Sequence, residues 1–203
     1  MSTVNARVMP GLVVTASLLT SAAAMGAEVS RVEVIHQDNV YTLSLEAYLE
    51  APPAAVFSVI TDYPHIQDLH RRVRESRVLR RIDARTTEVY TLVRGCVAAI
   101  FCKSLRRVER VTEIPPTELT AEIIPEDSDL KSGTVHWRLL AEGMGTRLQY
   151  DSAMEPDFWV PPLLGTGLMS LSFRNTTEDM IARVEALARD RSVGGGQPWL
   201  GAP

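Results

Sequence analysis

Alternation of apolar and polar positions dominates this chain. Tyr41, Leu43, Leu45, Ala47 and Leu49 fall on one face of a run whose other face carries Thr42, Ser44, Glu46 and Glu50. Period two of that length predicts a half-buried strand. A shorter strand over 31–36 precedes it, and Asp38-Asn39 between them suits a hairpin turn. Over 51–64 the pattern changes. Pro52-Pro53 opens the segment, Val56, Val59 and Ile60 recur at helical spacing, and Pro64 follows, which brackets one short helix. From Val73 to Met154 strand follows strand, over 75–82, 86–94, 101–113, 117–124, 134–140 and 146–154, separated by short turn-like pieces such as Asp83-Ala84, Pro115-Pro116 and 142–145. Connections this short permit antiparallel neighbours and no parallel crossovers. Val135, Trp137 and Leu139 alternate with Thr134, His136 and Arg138, while Leu148 and Tyr150 alternate with Arg147, Gln149 and Asp151. One face of the sheet is therefore apolar and the other wet.

Only one long helical stretch follows. It opens at Pro161-Pro162 and runs to about Arg189, with Leu164, Leu168, Met169, Phe173, Met180, Ile181, Val184 and Leu187 as its apolar stripe. Arg174, Glu178, Asp179, Arg183 and Glu185 lie largely off that stripe, so the helix must bury one side. The apolar face of the sheet is the available partner. The expected fold class is α+β: a curved antiparallel sheet of about seven or eight strands wrapped around a long C-terminal helix, with one or two short helices after the first long strand. The segment 190–203, with Gly194-Gly195-Gly196, lacks periodicity and reads as a flexible tail.

Length and composition agree with one domain, since 203 residues can bury a substantial core and the 45% apolar and 23% charged fractions are those of a globular chain. The N-terminus adds more. Arg7 is the only charge in the first 27 residues, and it precedes an apolar stretch from Val8 to Leu19 and the small residues Ala22, Ala24 and Gly26. This is the layout of a cleaved secretory signal over 1–26, with cuts suited after Ala24 or Gly26. The apolar stretch is shorter than the roughly 20 residues that span hydrocarbon, and Pro10-Gly11 interrupts it. Export to the periplasm would place Cys96 and Cys102 in an oxidising compartment, where a pair of thiols reads as a disulfide. On one continuous strand the two would stand about 20 Å apart at about 3.3 Å per residue, so the link requires the chain to turn between them.

The order hairpin, short helix, long antiparallel meander and long C-terminal helix resembles the helix-grip fold of the START-like superfamily (SRPBCC), which includes the polyketide cyclase/dehydrase and coenzyme-Q-binding branches. Leu49-Glu50-Ala51-Pro52-Pro53-Ala54-Ala55-Val56-Phe57 looks like that superfamily's strand-to-helix transition. Ile60-Thr61-Asp62-Tyr63-Pro64, followed by Val73-Arg74-Glu75-Ser76-Arg77-Val78-Leu79, is similar to its Asp-Tyr-Pro stretch and next strand. The resemblance spans roughly 31–189, within a domain taken as 27–189. It implies a deep cavity between sheet and helix that takes lipids, quinones, sterols or other apolar molecules, and it fixes no reaction.

The ligand-binding candidates are Tyr63, Trp137, Tyr150, Phe158, Trp159, Leu164, Leu168, Met169, Phe173 and Met180. Phe158 and Trp159 could gate the mouth, while Met169, Phe173 and Met180 would face the cavity with adaptable apolar surface; the same stripe also suits an ordinary core. No nucleophile elbow, metal-binding helix or phosphate-binding glycine loop is present, and no cofactor or metal is expected. His136 is out of phase with Trp137, and adjacent Tyr150 and Asp151 point to opposite faces. His65 and His70 flank the first helix, where they could stand at a cavity entrance. Charge is uneven: 70–110 holds 12 basic against 4 acidic residues, and 111–190 holds 6 against 14. Arg71, Arg72, Arg74, Arg77, Arg80, Arg81, Arg106, Arg107 and Arg110 could give transient contact with a membrane surface, although pairing with the acidic strands beside them is the favoured reading. Nucleic acid is not expected as a partner. The reading is thus a periplasmic carrier or binding protein for a hydrophobic small molecule or lipid. A cyclase- or dehydrase-like enzyme and an interaction module with a filled core are the alternatives.

Overall fold

The computed structural model describes residues 27–97, 101–158 and 166–193, and for 96, 97, 101 and 166–175 it describes the backbone alone. Strands β1 (Glu28–Gln37) and β2 (Val40–Leu49) form the first hairpin. Asp38 and Asn39 turn it with φ of 50° and 67°, the left-handed conformation that Asp and Asn tolerate best among residues with a side chain. Helix α1 (Pro53–Ile60), a short 3-10 turn and α2 (Ile66–Leu69) carry the chain to the opposite edge of the sheet. From there β3 (Val73–Arg81), β4 (Thr86–Val97), β5 (Phe101–Ile114), β6 (Glu118–Ile123), β7 (Leu130–Glu142) and β8 (Gly145–Pro156) return strand by strand. The spatial order is β1-β2-β8-β7-β6-β5-β4-β3, antiparallel throughout. This curved, unclosed sheet of eight strands, gripped by helix α3 (Thr166–Val193), is the expected helix-grip α+β fold.

Several strands run a few residues beyond the sequence reading, as β1 does from Glu28 and β4 to Val97, and two of the differences have a clear physical cause. Strand β7 begins at Leu130 rather than at 134, because β8 runs on to Pro156 and offers partners to Leu130, Ser132 and Gly133, with Lys131 at an irregularity between them, in a stretch that carries no strand signal of its own. Gly133 is needed there, since a Cβ would stand 2.6 Å from Ile123 Cγ1. Helix α3 continues to Val193, past Arg189 into the segment read as tail. Arg191 holds its last turn by donating to the Ser58 carbonyl at 2.5 Å and pairing with Asp62 at 2.6 Å. The expected helix start at Pro161-Pro162, the segment 1–26 and the stretch 194–203 lie outside the described residues.

One end of the molecule is solidly packed. Leu45, Leu49, Val56, Val59, Leu139, Leu148, Ile181 and Val184 are each at most 1% exposed where α1, α3 and the β2–β8–β7 strands meet. Polar groups stitch the same corner. The Thr146 hydroxyl, fully buried, donates to the Ala51 carbonyl at 2.6 Å. Glu185, placed off the apolar stripe in the sequence, is 4% exposed; it accepts from the Glu50 backbone N–H at 3.1 Å and pairs with Arg189. A buried carboxylate is tolerated because both partners satisfy it.

Candidate functional site: a cavity between sheet and helix

The packing loosens along the strands away from that corner. On β2 the side chains pass from buried Leu49, Ala47 and Leu45 to half-buried Leu43 and Tyr41, and on β7 from Leu139, at 1%, to half-buried Trp137. The surface left accessible faces a cavity of about 360 Å³ under α3, whose Thr176, Thr177, Met180 and Val184 form one wall. The inner faces of β2 and β4–β8 supply most of the rest, and the lining is chiefly apolar. A volume of that size suits a small organic ligand.

Alternation on the sheet decides which side chains reach this space. Trp137 and Tyr150, cross-strand partners, enter it in an edge-to-face contact with centroids 4.6 Å apart. His136 lies on the outer face, hydrogen-bonded to Glu118, and Asp151 points outward to the Ser44 hydroxyl at 2.8 Å. Burial raises the Tyr150 hydroxyl pKa, so the group stays protonated at neutral pH, and it shares a side-chain hydrogen bond with Ser152.

Charged groups also enter the cavity, and the sequence reading missed them. Arg107, counted there with the outer basic face, points inward with Leu105, Glu109 and Val111, all of one parity on β5. Its guanidinium pairs with Glu109 at 2.5 Å, and Glu109 is 6% exposed. Burial opposes the charge on Arg107, but Glu109 and then Tyr150 outweigh it, and the pKa is raised. Two opposite charges spaced i, i+2 between apolar residues of the same parity were the signal available in the sequence. His70 also lines the cavity; burial, then the Arg72 charge, push its pKa down to about 4, and its Nδ1 accepts from the Arg72 backbone N–H at 3.1 Å. At neutral pH this imidazole is uncharged. Arg72 lines the cavity beside it.

The other arginines of that region stay outside and are largely matched. Arg80 and Arg110 both reach Glu88, Arg106 pairs with Asp129, and Arg77 stacks over Tyr90 at 4.3 Å. Paired surface charge of this kind fits the solvated-face reading.

Of the ten candidate ligand contacts, Trp137, Tyr150 and Met180 line the cavity. Tyr63 packs in the core at 6% exposure, its hydroxyl donating to Glu113, and it is not part of the lining. Phe158 lies under the Lys103 ammonium, 3.5 Å from its ring centroid. Trp159 and Leu164 fall outside the described residues, and of Leu168, Met169 and Phe173 only the helical backbone is described. Cys96 and Cys102 are direct cross-strand partners on β4 and β5, so the chain does turn between them. Among the described residues no group of His, Cys, Asp and Glu could hold a metal ion.

The family model described as polyketide cyclase / dehydrase and lipid transport matches residues 41–189. No curated protein matches the sequence. Among solved structures, the chain is similar to the ZhuI aromatase/cyclase from Streptomyces sp. R1128, with 13% identity over 78% of this chain and 99% of that one and a TM-score of 0.62. It is similar to human STARD10, with 11% identity over 83% and 80% and a TM-score of 0.60. A STAR-related lipid transfer protein from Xanthomonas axonopodis matches with 14% identity over 79% and 99% and a TM-score of 0.59. At such identities these likenesses speak for the fold.

Proposed function

We propose, from the premise that the chain belongs to the polyketide cyclase / dehydrase and lipid transport family, that it is a binding or carrier protein for an apolar small molecule or lipid held beneath α3. The observation that carries this reading is the chiefly apolar cavity of about 360 Å³ between the sheet and the helix. An interior of that size counts against an interaction module with a filled core, because native cores leave few voids larger than a water molecule. The expected result is saturable, one-to-one binding of a neutral solvatochromic dye such as Nile red, with a blue-shifted emission that apolar competitors reverse. Absence of saturable binding would remove the reading.

The sequence also supports export to the periplasm through cleavage of 1–26, and a disulfide between Cys96 and Cys102. The direct cross-strand placement of the two cysteines favours the second. Intact mass of the protein recovered from the exporting host tests the first: loss of the first 24 or 26 residues is expected, and a full-length chain in the cytoplasm contradicts it.

A cyclase- or dehydrase-like activity is the second reading, favoured by one observation: Arg107, Glu109 and Tyr150 converge on the cavity wall. Against it, Glu109 is committed to Arg107 and the Tyr150 hydroxyl is held protonated, so neither is poised as a base at neutral pH. Turnover of a poly-β-keto thioester that is lost in Tyr150→Phe would establish it.

A further inference from the structure

Six of the residues that line the cavity are titratable: Tyr41, His70, Arg72, Arg107, Glu109 and Tyr150. Burial raises the pKa of both tyrosines, so their hydroxyls stay protonated, and burial keeps the His70 imidazole uncharged at neutral pH. Arg107 and Glu109 cancel as an ion pair at 2.5 Å. The guanidinium of Arg72 is what remains, so the lining as a whole is left with one uncompensated positive charge. Arg72 leads into β3 at the end of the sheet away from the packed corner, where Val73 pairs with Val93 and the Arg72 carbonyl accepts from the Arg94 N–H at 2.7 Å. Its side chain is half-buried, and burial lowers its pKa. Arg71, Arg74 and Arg94 flank it and are exposed; the carboxylates nearest in sequence are Asp68 and Glu75, and Glu75 pairs with Arg77.

That charge limits what the cavity can accept. A neutral occupant would displace water from one side of the Arg72 guanidinium and bring no counter-charge, which is costly. An occupant with one anionic group at its outer end would compensate the charge through short, charge-assisted hydrogen bonds. Arg72 has a contact within the protein, and the several N–H donors of a guanidinium let it serve a ligand as well. His70 supplies a further donor beside it. Its Nδ1 accepts from the Arg72 backbone N–H at 3.1 Å, so the neutral ring carries its proton on Nε2. We infer that the cavity selects an amphipathic monoanion, its apolar body beneath α3 against Trp137, Tyr150 and Met180 and its anionic head at the open end on Arg72 and the His70 Nε2–H. This deepens the reading of the cavity as a ligand site and rests on it.

Fluorescence titration of the purified protein with N-phenylnaphthylamine and with anilinonaphthalene sulfonate, one skeleton without and with an anionic group, tests it. The sulfonate is expected to bind about tenfold more tightly, the gain of hydrogen bonds to a charged donor. Decanoate should displace it at about tenfold lower concentration than methyl decanoate does. Arg72→Gln should bring the two probes to within about twofold of each other while leaving the affinity of the neutral one unchanged, and Arg72→Lys should keep the preference. Arg74→Gln should alter neither affinity, which separates a bound head from diffuse attraction to a basic surface. The decanoate comparison uses the unmodified chain and decides the case even where Arg72→Gln does not fold. Equal affinity for the two probes, equal displacement by acid and ester, or a preference that Arg72→Gln retains or that Arg74→Gln removes as fully would overturn the inference while leaving the cavity's role standing. Failure of both probes to bind would overturn both.

Discussion

Filling the cavity from the sheet side gives a result whose sign depends on whether the space is there. Ala121 sits at the middle of β6, 5% exposed, between Val111 and Val135 on the neighbouring strands, and its methyl lines the cavity. In Ala121→Phe the ring would project beneath α3. Burying about 100 Å² of additional apolar surface at about 25 cal/mol per Å² is worth at most ~2.5 kcal/mol. Fixing the ring's rotamer takes back about 0.5–1 kcal/mol. The expected outcome is a protein between unchanged and about 2 kcal/mol more stable. The same substitution in a filled core would overpack it and cost about 1–3 kcal/mol. Urea unfolding followed by tryptophan fluorescence decides between them through the midpoint, provided the slope is unchanged. The variant should also lose Nile red binding. A loss of about 1 kcal/mol or more, or dye binding that survives, would refute the reasoning.

Three further outcomes are expected. The folded-state pKa of His70 is depressed from 6.5 to about 4, so the unfolded chain binds the proton first as pH falls. Stability should therefore drop between pH 6.5 and 4, by up to about 3 kcal/mol. Urea midpoints at pH 7 and 5 should show most of that slope vanishing in His70→Gln, and an equal slope in both proteins would contradict the assignment; His65, whose pKa Asp62 raises, contributes the opposite sign and cancels in the comparison. Gly145→Ala would place a Cβ 2.3 Å from the Leu49 carbonyl and 2.6 Å from the Tyr48 hydroxyl. It should cost at least about 2 kcal/mol in urea unfolding, whereas adjacent Met144, 94% exposed, should accept alanine with almost no change. Thiol titration in denaturant should find two free thiols only after reduction. Reduction should lower stability by about 2 kcal/mol, since the loop closed is short, and equal titres with and without reductant would exclude the link.

The alternation on β2, β7 and β8 made the fold legible, because period two survives wherever one sheet face is buried and the other wet. The same alternation separates Trp137 from His136 and Tyr150 from Asp151. Arg107 and Glu109 escaped the same logic because charge was counted by segment rather than by parity. The long-range facts were less legible still. Glu185 reads as solvent-facing until Glu50, 135 residues away, presents its backbone N–H. Ser76, Thr91 and Arg107 lie side by side on β3, β4 and β5 only through strand register. Three strands must be aligned before those residues become neighbours, and hydrophobic periodicity carries no such information.

The central claim, that the space under α3 holds an apolar molecule, is tested most directly by organic extraction of the protein purified from its native host, followed by mass spectrometry of the extract. The account predicts one defined apolar compound, near one per chain, that is absent from an Ala121→Phe preparation. Recovery of nothing above a control protein, or of the same mixture from wild type and Ala121→Phe alike, would contradict it.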